Sequence, residues 1–203
     1  MSLKTTYRFF APVYDAVVER ATAGIRKRSL AALDGPAALD VLVSGAGTGL
    51  DFPFLPRRHN YVALDLTAAM QARSGRRKQG LNLDWVLGDS MALPFAESSF
   101  DRVVLHLILA VVPQPGHCLA EAARVLRPGG RILIFDKFLR RGQRAPLRRA
   151  VSPLSSRLAT RLDVVFEDVL ENVPQLSLLS DEPALANGWF RLIELRKEFG
   201  SGL

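Results

Sequence analysis

Residues 39–49 read LDVLVSGAGTG, an apolar run that ends in three closely spaced glycines. The apolar part, residues 39–44, has the length of a buried strand. Glycines directly after a strand let the backbone turn tightly and let a nucleoside lie against it without meeting a Cβ. We therefore predict that a strand enters a nucleoside-binding turn at Gly45, and that a helix begins at about Gly49.

Apolar runs alternate with helical stretches on both sides of this turn. Further strands are predicted over residues 61–66, 83–87, 100–107 and 131–137, and helices over 11–33, 67–78 and 117–126. In the first helix the predicted apolar face carries Val13, Val17, Ala21 and Ile25. This alternation implies parallel strands joined by right-handed crossovers, and nearly continuous apolar strands imply a sheet covered on both faces.

The C-terminal part departs from this rhythm. Residues 176–181 and 189–198 are strand-like, and the Pro/Gly loop between them is too short for a crossover helix, so they should pair antiparallel. We predict an α/β fold with a doubly wound, mostly parallel, seven-stranded sheet and an antiparallel terminal strand. One domain spans residues 1–203, with a helical cap at 1–33 and a basic helical insertion at 139–172.

Composition excludes several classes of protein. The 203 residues contain no apolar run of the roughly 20 residues that span a bilayer, and the N-terminus lacks a secretory signal pattern. The single cysteine, Cys118, cannot form an internal disulfide, and we interpret it as a small buried apolar residue. We therefore expect a cytoplasmic protein. A net charge of +7 indicates an anionic partner, such as nucleic acid, an acidic metabolite or a membrane surface.

The positive charge is concentrated in one stretch without acidic residues. Its arginines are Arg140, Arg141, Arg144, Arg148, Arg149, Arg157 and Arg161. Apolar residues recur between them at helical spacing, at Leu147, Val151, Leu154, Leu158 and Leu162. Each cation near an anionic leaflet contributes about 1 kcal/mol, so the segment would dock on the inner face of the membrane. An ordinary solvated face or a cover over the active site is the alternative.

Two aspartates follow the next strands. Asp65 closes the second strand, where a carboxylate can accept from both ribose hydroxyls of a nucleoside; the alternative is a helix cap. Asp89 follows the third strand and suits an adenine amino group, with Met91 against the ring; the alternative is a polar turn. A dinucleotide-binding turn would need glycine at position 50, where Leu50 stands.

Together these motifs resemble the class I S-adenosylmethionine-dependent methyltransferases. The matching stretches are VLVSGAGTG (41–49), VALD (62–65), GDSMALPF (88–95), FDRVVLH (100–106) and EAARVLRPGGRILI (121–134). The resemblance implies a Rossmann-like methyltransferase fold that binds S-adenosylmethionine rather than NAD, without a metal. The implied cofactor contacts are Ser44, Gly45, Ala46, Gly47, Thr48, Gly49, Asp65, Leu66, Met70, Gly88, Asp89, Ser90, Met91 and His106.

Other stretches resemble one branch of these enzymes. YRFFAPVYD (7–15) is similar to a helix of the branch that includes the quinone methyltransferases and the small bacterial phosphatidylethanolamine N-methyltransferases. LILAVVPQP (107–115) and PLRRAVSPLSSRLATRLD (146–163) look closest to the phospholipid enzymes. The resemblance implies N-methylation of phosphatidylethanolamine and its partly methylated forms at the membrane surface. The implied acceptor or membrane contacts are Tyr7, Arg140, Arg141, Arg148, Arg149 and Arg157.

Two other functions remain open at this point. One is methylation of a quinone precursor or another small hydrophobic metabolite, and another is non-catalytic binding of S-adenosylmethionine. Nucleic-acid methylation is not expected, because residues 105–108 read LHLI where an Asn/Asp-Pro-Pro-aromatic signature would stand. The sequence leaves the oligomeric state undetermined.

Methyl transfer to an amine needs a lone pair, so the ammonium form must lose a proton. His106, at the end of the fourth strand, is the predicted base, with a structural histidine as the alternative. Tyr14 is the second catalytic candidate, and the resemblance favours its contact with cofactor or acceptor. We find no Ser/His/Asp triad and no metal-ligand spacing.

One position departs from the family pattern. Family members usually carry Asp or Glu two residues before the first glycine, where it helps hold the methionine end of the cofactor. Here that position is Val43. Ser44 and Asp51 are the candidates that would compensate.

Overall fold

The computed structural model describes residues 19–75, 77–142 and 163–199. Seven strands form one sheet: β1 (Asp40–Ser44), β2 (Asn60–Asp65), β3 (Asn82–Leu87), β4 (Phe100–His106), β5 (Leu126–Lys137), β6 (Leu176–Leu185) and β7 (Phe190–Lys197). The helices are α1 (residues 19–30), α2 (Ala68–Ser74), α3 (Pro115–Val125) and α4 (Phe166–Glu171). The start of the predicted cap and most of the basic segment lie outside the described residues.

The strand order is β3-β2-β1-β4-β5-β7-β6. Strands β1 to β5 pair in parallel, whereas β7 is antiparallel to both β5 and β6. This confirms the predicted doubly wound sheet and its antiparallel end. The strand order reverses between β1 and β4, and open α/β sheets bind ligands beyond the carboxyl ends of strands at such a point.

The predicted helix after Gly49 is wrong. The chain forms only a short 3-10 turn there, Phe52–Phe54. Pro53 and Pro56 explain the difference, because neither has an N–H group to donate to an α-helical hydrogen bond. Helix α2 is likewise shorter than the predicted 67–78.

The buried face of α1 also differs from the predicted one. Ala21 is exposed and Ile25 is half-buried, whereas the buried positions are Thr22, Arg26 and Leu30. Two of these three are polar because this part of α1 lies against the polar carboxyl ends of the strands.

Two apolar clusters cover the two faces of the sheet. Alternate residues of β1 divide between them: Leu42 joins the cluster around α3, and Val41 and Val43 join the cluster around the end of α1. This confirms that both faces are covered. Cys118 is fully buried in the first cluster, and burial raises the pKa of its thiol to about 12. Within the described residues, no helix is both long and apolar enough to cross a membrane.

Candidate functional site

The predicted cofactor contacts converge on one edge of the sheet. They lie at or just beyond the carboxyl ends of four adjacent strands, in the spatial order β3-β2-β1-β4. The fold therefore brings together segments that are separated by more than forty residues of sequence, from Ser44 to Ser90. These two serines are themselves hydrogen-bonded, with Ser44 Oγ donating to Ser90 Oγ at 2.8 Å.

The glycine turn is tightly packed at two positions and open at the third. All three glycines have positive φ: 73° at Gly45, 54° at Gly47 and 76° at Gly49. A Cβ added at Gly45 or Gly49 would lie 2.7 Å from the side chain of Ile108 or Phe52, respectively. A Cβ at Gly47 would meet nothing closer than a backbone oxygen at 4.0 Å. Gly47 is therefore the position at which a ligand can approach the backbone.

Asp65 braces this turn. Its Oδ2 accepts a hydrogen bond from the backbone N–H of Gly47 at 2.9 Å, and its Oδ1 accepts from the N–H of Thr67 at 3.2 Å. Thr67, directly before α2, makes no side-chain cap of its own. Both sequence interpretations of Asp65 thus keep support: the carboxylate organises the start of α2 and also stands beside the open glycine.

The end of β3 contributes a polar turn and an apolar surface. Asp89 Oδ1 accepts from the N–H of Met91 at 2.8 Å, which fixes the loop after the strand. Leu66 and Leu87 are 72% and 54% exposed, unusual values for leucines at the ends of neighbouring strands. Each therefore offers apolar surface at this edge of the sheet. The sequence points to Leu66 but not to Leu87, because an apolar residue at the end of a strand has the pattern of a core residue.

A buried charge cluster lies at the end of β4. The Oδ1 atom of Asp51 accepts from Arg26 Nη1 at 2.7 Å and is 2.7 Å from His106 Nδ1. All three residues are at most 5% exposed. Despite burial, the neighbouring His106 and Arg26 hold the pKa of the Asp51 carboxyl well below its usual range. Asp51 is therefore an anion, and the cluster contains charge that water barely reaches.

The cluster continues into α1. Ser29 Oγ lies 3.0 Å from His106 Nε2, and Arg26 Nε donates to Thr22 Oγ1 at 3.0 Å. Ser29, His106 and Asp51 thus stand in the order of a Ser/His/Asp triad, contrary to our reading of the sequence. Ser29 lies inside a helix, however, whose backbone N–H groups bond within the helix and cannot form an oxyanion hole. We therefore interpret the array as a structural link between α1 and β4.

No pattern in the sequence predicts the roles of Arg26 and Ser29. Both occupy positions in an amphipathic helix whose predicted apolar face was misplaced. The sequence points to Asp51 only as a replacement for the acid absent at Val43. The structure places Val43 in an apolar cluster, 1% exposed, so its side chain leaves no polar gap at that position.

The predicted acceptor and membrane contacts are only partly described. Tyr7, Tyr14, Arg148, Arg149 and Arg157 lie outside the described residues. Arg141 is ion-paired with Asp168 and Glu171, at 2.6 Å each, and Arg140 lies 3.7 Å from Asp181. The charges of these two arginines are thus offset by acidic neighbours.

The described residues fit S-adenosylmethionine by their chemistry. A nucleoside needs a close approach to the backbone, which Gly47 allows, and an acceptor for its hydroxyls, which Asp65 provides. It also needs an apolar surface, which the exposed Leu66 and Leu87 offer. Among the described residues, no group of three or more His, Cys, Asp or Glu side chains is arranged to hold a metal ion.

Comparison with known proteins gives a consistent result. Residues 41–134 match a family described as a methyltransferase domain. The chain is 27% identical to a phosphatidylethanolamine N-methyltransferase of Cereibacter sphaeroides, over 97% of this chain and 98% of that protein. It is 42% identical to a ubiquinone/menaquinone biosynthesis C-methyltransferase of Paracoccus denitrificans, over 53% of this chain and 44% of that protein.

A solved structure shares the fold. The geranyl diphosphate C-methyltransferase of Streptomyces coelicolor, in complex with S-adenosyl-L-homocysteine, is 15% identical and superposes with a TM-score of 0.69. The match covers 86% of this chain and 76% of that one. At this identity the likeness concerns the fold alone.

Proposed function

Because this protein is an S-adenosylmethionine-dependent methyltransferase, we propose that it N-methylates phosphatidylethanolamine and its partly methylated forms at a membrane surface. One observation carries the proposal: the likeness to a phosphatidylethanolamine N-methyltransferase extends over 97% of this chain. It therefore includes the N-terminal and basic segments, which lie outside the methyltransferase domain match at 41–134.

The shape of the carboxyl edge supports a lipid acceptor. A groove of about 980 Å³ lies beside the β6–β7 turn, between residues 140–142 and 183–189, with Trp189 and Leu185 in its lining. Strands β5 and β6 both end at this edge, so the groove shares the edge with the glycine turn. A partly apolar groove with an indole suits the boundary between a lipid headgroup and its chains.

The chemistry requires little of the protein beyond placement. S-adenosylmethionine supplies a methyl group already activated by the sulfonium. The glycine turn and Asp65 would hold the cofactor, and alignment of the acceptor amine gives the rate advantage of proximity. Both ring nitrogens of His106 already have partners, Asp51 Oδ1 at Nδ1 and Ser29 Oγ at Nε2, which favours a structural role for this histidine over that of a base.

A quinone precursor is the second candidate acceptor. The observation that favours it is the higher identity, 42%, to a ubiquinone/menaquinone biosynthesis C-methyltransferase. That match spans 53% of this chain, so it leaves out much of the sequence in which an acceptor would be selected.

The two candidates separate in one assay. The protein is incubated with isotopically labelled S-adenosylmethionine and vesicles of phosphatidylethanolamine with phosphatidylglycerol, or the same vesicles containing a demethylated quinone. Phosphatidylglycerol vesicles alone are the blank, and the Asp65→Ala variant controls for contaminating activity. We expect label in mono-, di- or trimethylated phosphatidylethanolamine. Label in the quinone alone would contradict the proposal.

Membrane binding should depend on the arginines beyond those paired in the structure. Replacing Arg148, Arg149 and Arg157 together with glutamine should weaken binding to anionic vesicles by about 1 kcal/mol per charge. Arg127→Gln is the control for loss of a positive charge elsewhere, and it should have little effect because Arg127 lies near the start of β5, whereas the basic segment follows the end of that strand. Vesicle co-sedimentation at low salt measures both. Wild-type protein that does not sediment with anionic vesicles would refute membrane docking.

A further inference from the structure

The Asp51 cluster differs from every other ion pair in the described part of the chain. Arg26–Asp51 is the arginine–carboxylate pair of the described residues in which both side chains are less than one-tenth exposed, at 6% and 5%. His106, whose side chain is 1% exposed, lies 2.7 Å from the same carboxylate oxygen. A buried ion pair that loses one partner leaves an uncompensated charge, which is far more costly than loss of a surface pair. Breaking the Asp51 cluster is therefore costly, and this cost opposes any movement of α1 away from the end of β4.

One atom joins three parts of the site. Asp51 follows the glycine turn, two residues after Gly49, and its Oδ1 is shared by Arg26 from α1 and His106 from the end of β4. Ser29 adds a second bond between α1 and His106. The position of α1 over the sheet edge therefore depends on the same carboxylate oxygen that orients the histidine.

A second link connects α1 to the glycine turn from the other side. Arg77 donates from Nη1 to the carbonyl of Thr48 at 3.0 Å and from Nη2 to Glu19 at 2.8 Å. The side chains of Arg77 and Glu19 are 26% and 45% exposed, so this pair contributes much less than a buried one. Of these two polar links, the Asp51 link is thus the stronger one.

We propose that Asp51 is a positioning residue of the methyltransferase, which holds α1 against the glycine turn and the end of β4. Its carboxylate acts through Arg26 and His106 and does not itself touch the reacting atoms. The proposal goes beyond the identity of the acceptor, because the positioning of α1 would be needed for any substrate.

The test compares two acidic residues at opposite edges of the sheet. Asp51→Asn removes the buried anion, and Asp101→Asn, in the full-length protein, removes a partner of Arg127 at the other edge. Trypsin reports the opening of α1 at Arg20, Lys27 and Arg28, which are exposed. Asp51→Asn should speed cleavage at these sites about tenfold or more, whereas Asp101→Asn should not.

A double variant and a binding measurement separate positioning from other roles. Combining Asp51→Asn with Arg26→Gln leaves no uncompensated buried charge, so α1 should be cleaved more slowly than in the single Asp51→Asn variant. Calorimetry with S-adenosyl-L-homocysteine, which needs no acceptor, measures cofactor affinity in parallel. A large loss of affinity with unchanged α1 cleavage would identify Asp51 as a ligand contact and overturn the proposal.

The experiment remains decisive if Asp51→Asn does not fold. Ser29→Ala then removes only the bond between α1 and His106, and it should raise α1 cleavage by a few-fold, without faster cleavage elsewhere. Unchanged cleavage of α1 in Ser29→Ala would in that case overturn the proposal. None of these measurements depends on phosphatidylethanolamine, so failure of the proposed acceptor leaves their outcome unaffected.

Discussion

The two edges of the sheet carry similar charges in opposite environments. At the carboxyl edge, Arg26, Asp51 and His106 form a cluster that is almost fully buried. At the amino edge, Arg127 pairs with Asp40 at 3.1 Å and Asp101 at 2.8 Å, but these side chains are between 29% and 41% exposed. Distances alone would rank the two clusters as similar.

The difference shows that burial, rather than distance, sets how much an ion pair affects the free energy of unfolding. The exposed side chains keep most of their hydration, so their pairing changes the free energy of unfolding little. The buried cluster gives up solvation and is tolerated only because each charge is paired. Its place beside the glycine turn, at the reversal of strand order, is where open α/β sheets bind ligands.

The largest expected effect comes from breaking the buried cluster. Asp51→Asn should lower the free energy of unfolding by about 3–5 kcal/mol, because Arg26 is left as an unpaired buried cation. Urea denaturation followed by circular dichroism measures the change. A loss below about 1 kcal/mol would place Asp51 in the same class as the surface acids and remove the contrast between the edges.

Val43→Glu should be nearly as costly. Val43 is 1% exposed inside an apolar cluster, and Asp51 already provides the anion beside Arg26, so a second carboxylate would be buried without a partner. We expect a loss of about 3 kcal/mol in the free energy of unfolding. If the variant instead binds S-adenosylmethionine more tightly at unchanged stability, the natural site lacks an acid that Asp51 does not replace.

The pH dependence of the free energy of unfolding should further distinguish the buried cluster from the exposed one. Although burial opposes it, His106 and Arg26 lower the pKa of Asp51 in the folded protein below its unfolded pKa of about 4. The stability that Asp51 contributes is therefore fully present above pH 4 and is lost as the pH falls toward the folded-state pKa. The difference in stability between wild type and Asp51→Asn should therefore narrow below about pH 4, by up to about 1.4 kcal/mol per pH unit. A difference that stays constant down to pH 2 would mean that the Asp51 carboxyl has the same pKa in the folded and unfolded states, so that the cluster does not stabilise its anion.

The smallest effect is expected at the amino edge. Arg127→Gln should change the free energy of unfolding by about 0–1 kcal/mol, because its pairs with Asp40 and Asp101 are open to solvent. The change should shrink further at high salt, where screening shortens the range of surface charges. A large effect that persists in 1 M salt would show that this cluster, too, is energetically buried.

The sequence was sufficient for the seven strands and their pairing directions but insufficient for the buried cluster. Strand β5 begins five residues before the predicted 131, and β6 ends four residues after the predicted 181. Apolar runs ending in glycine or aspartate locate β1, β2 and β3 to within a residue, because strand burial and turn chemistry are both local signals. The helix predicted after Gly49 failed because the pattern was extended over Pro53 and Pro56. Asp65 and Asp89 could be found from their places after strands.

The roles of Arg26 and Ser29 could not be found this way. Their meaning depends on the distance between α1 and the end of β4, which no local pattern contains. Helical periodicity predicts the wrong buried face for α1, because it assumes that the buried face of a helix is apolar. Leu87 was missed for the related reason that exposure of a strand-end leucine is a property of the folded edge.

The central claim is that the carboxyl ends of β1 to β4 hold the cofactor, and calorimetry with S-adenosylmethionine tests it directly. Asp65→Ala should weaken binding by about 1–3 kcal/mol, because it removes a charged acceptor beside Gly47, whereas Asp101→Asn at the other edge should leave it unchanged. NAD should not bind. Unchanged affinity in Asp65→Ala, or NAD binding in place of S-adenosylmethionine, would contradict the account.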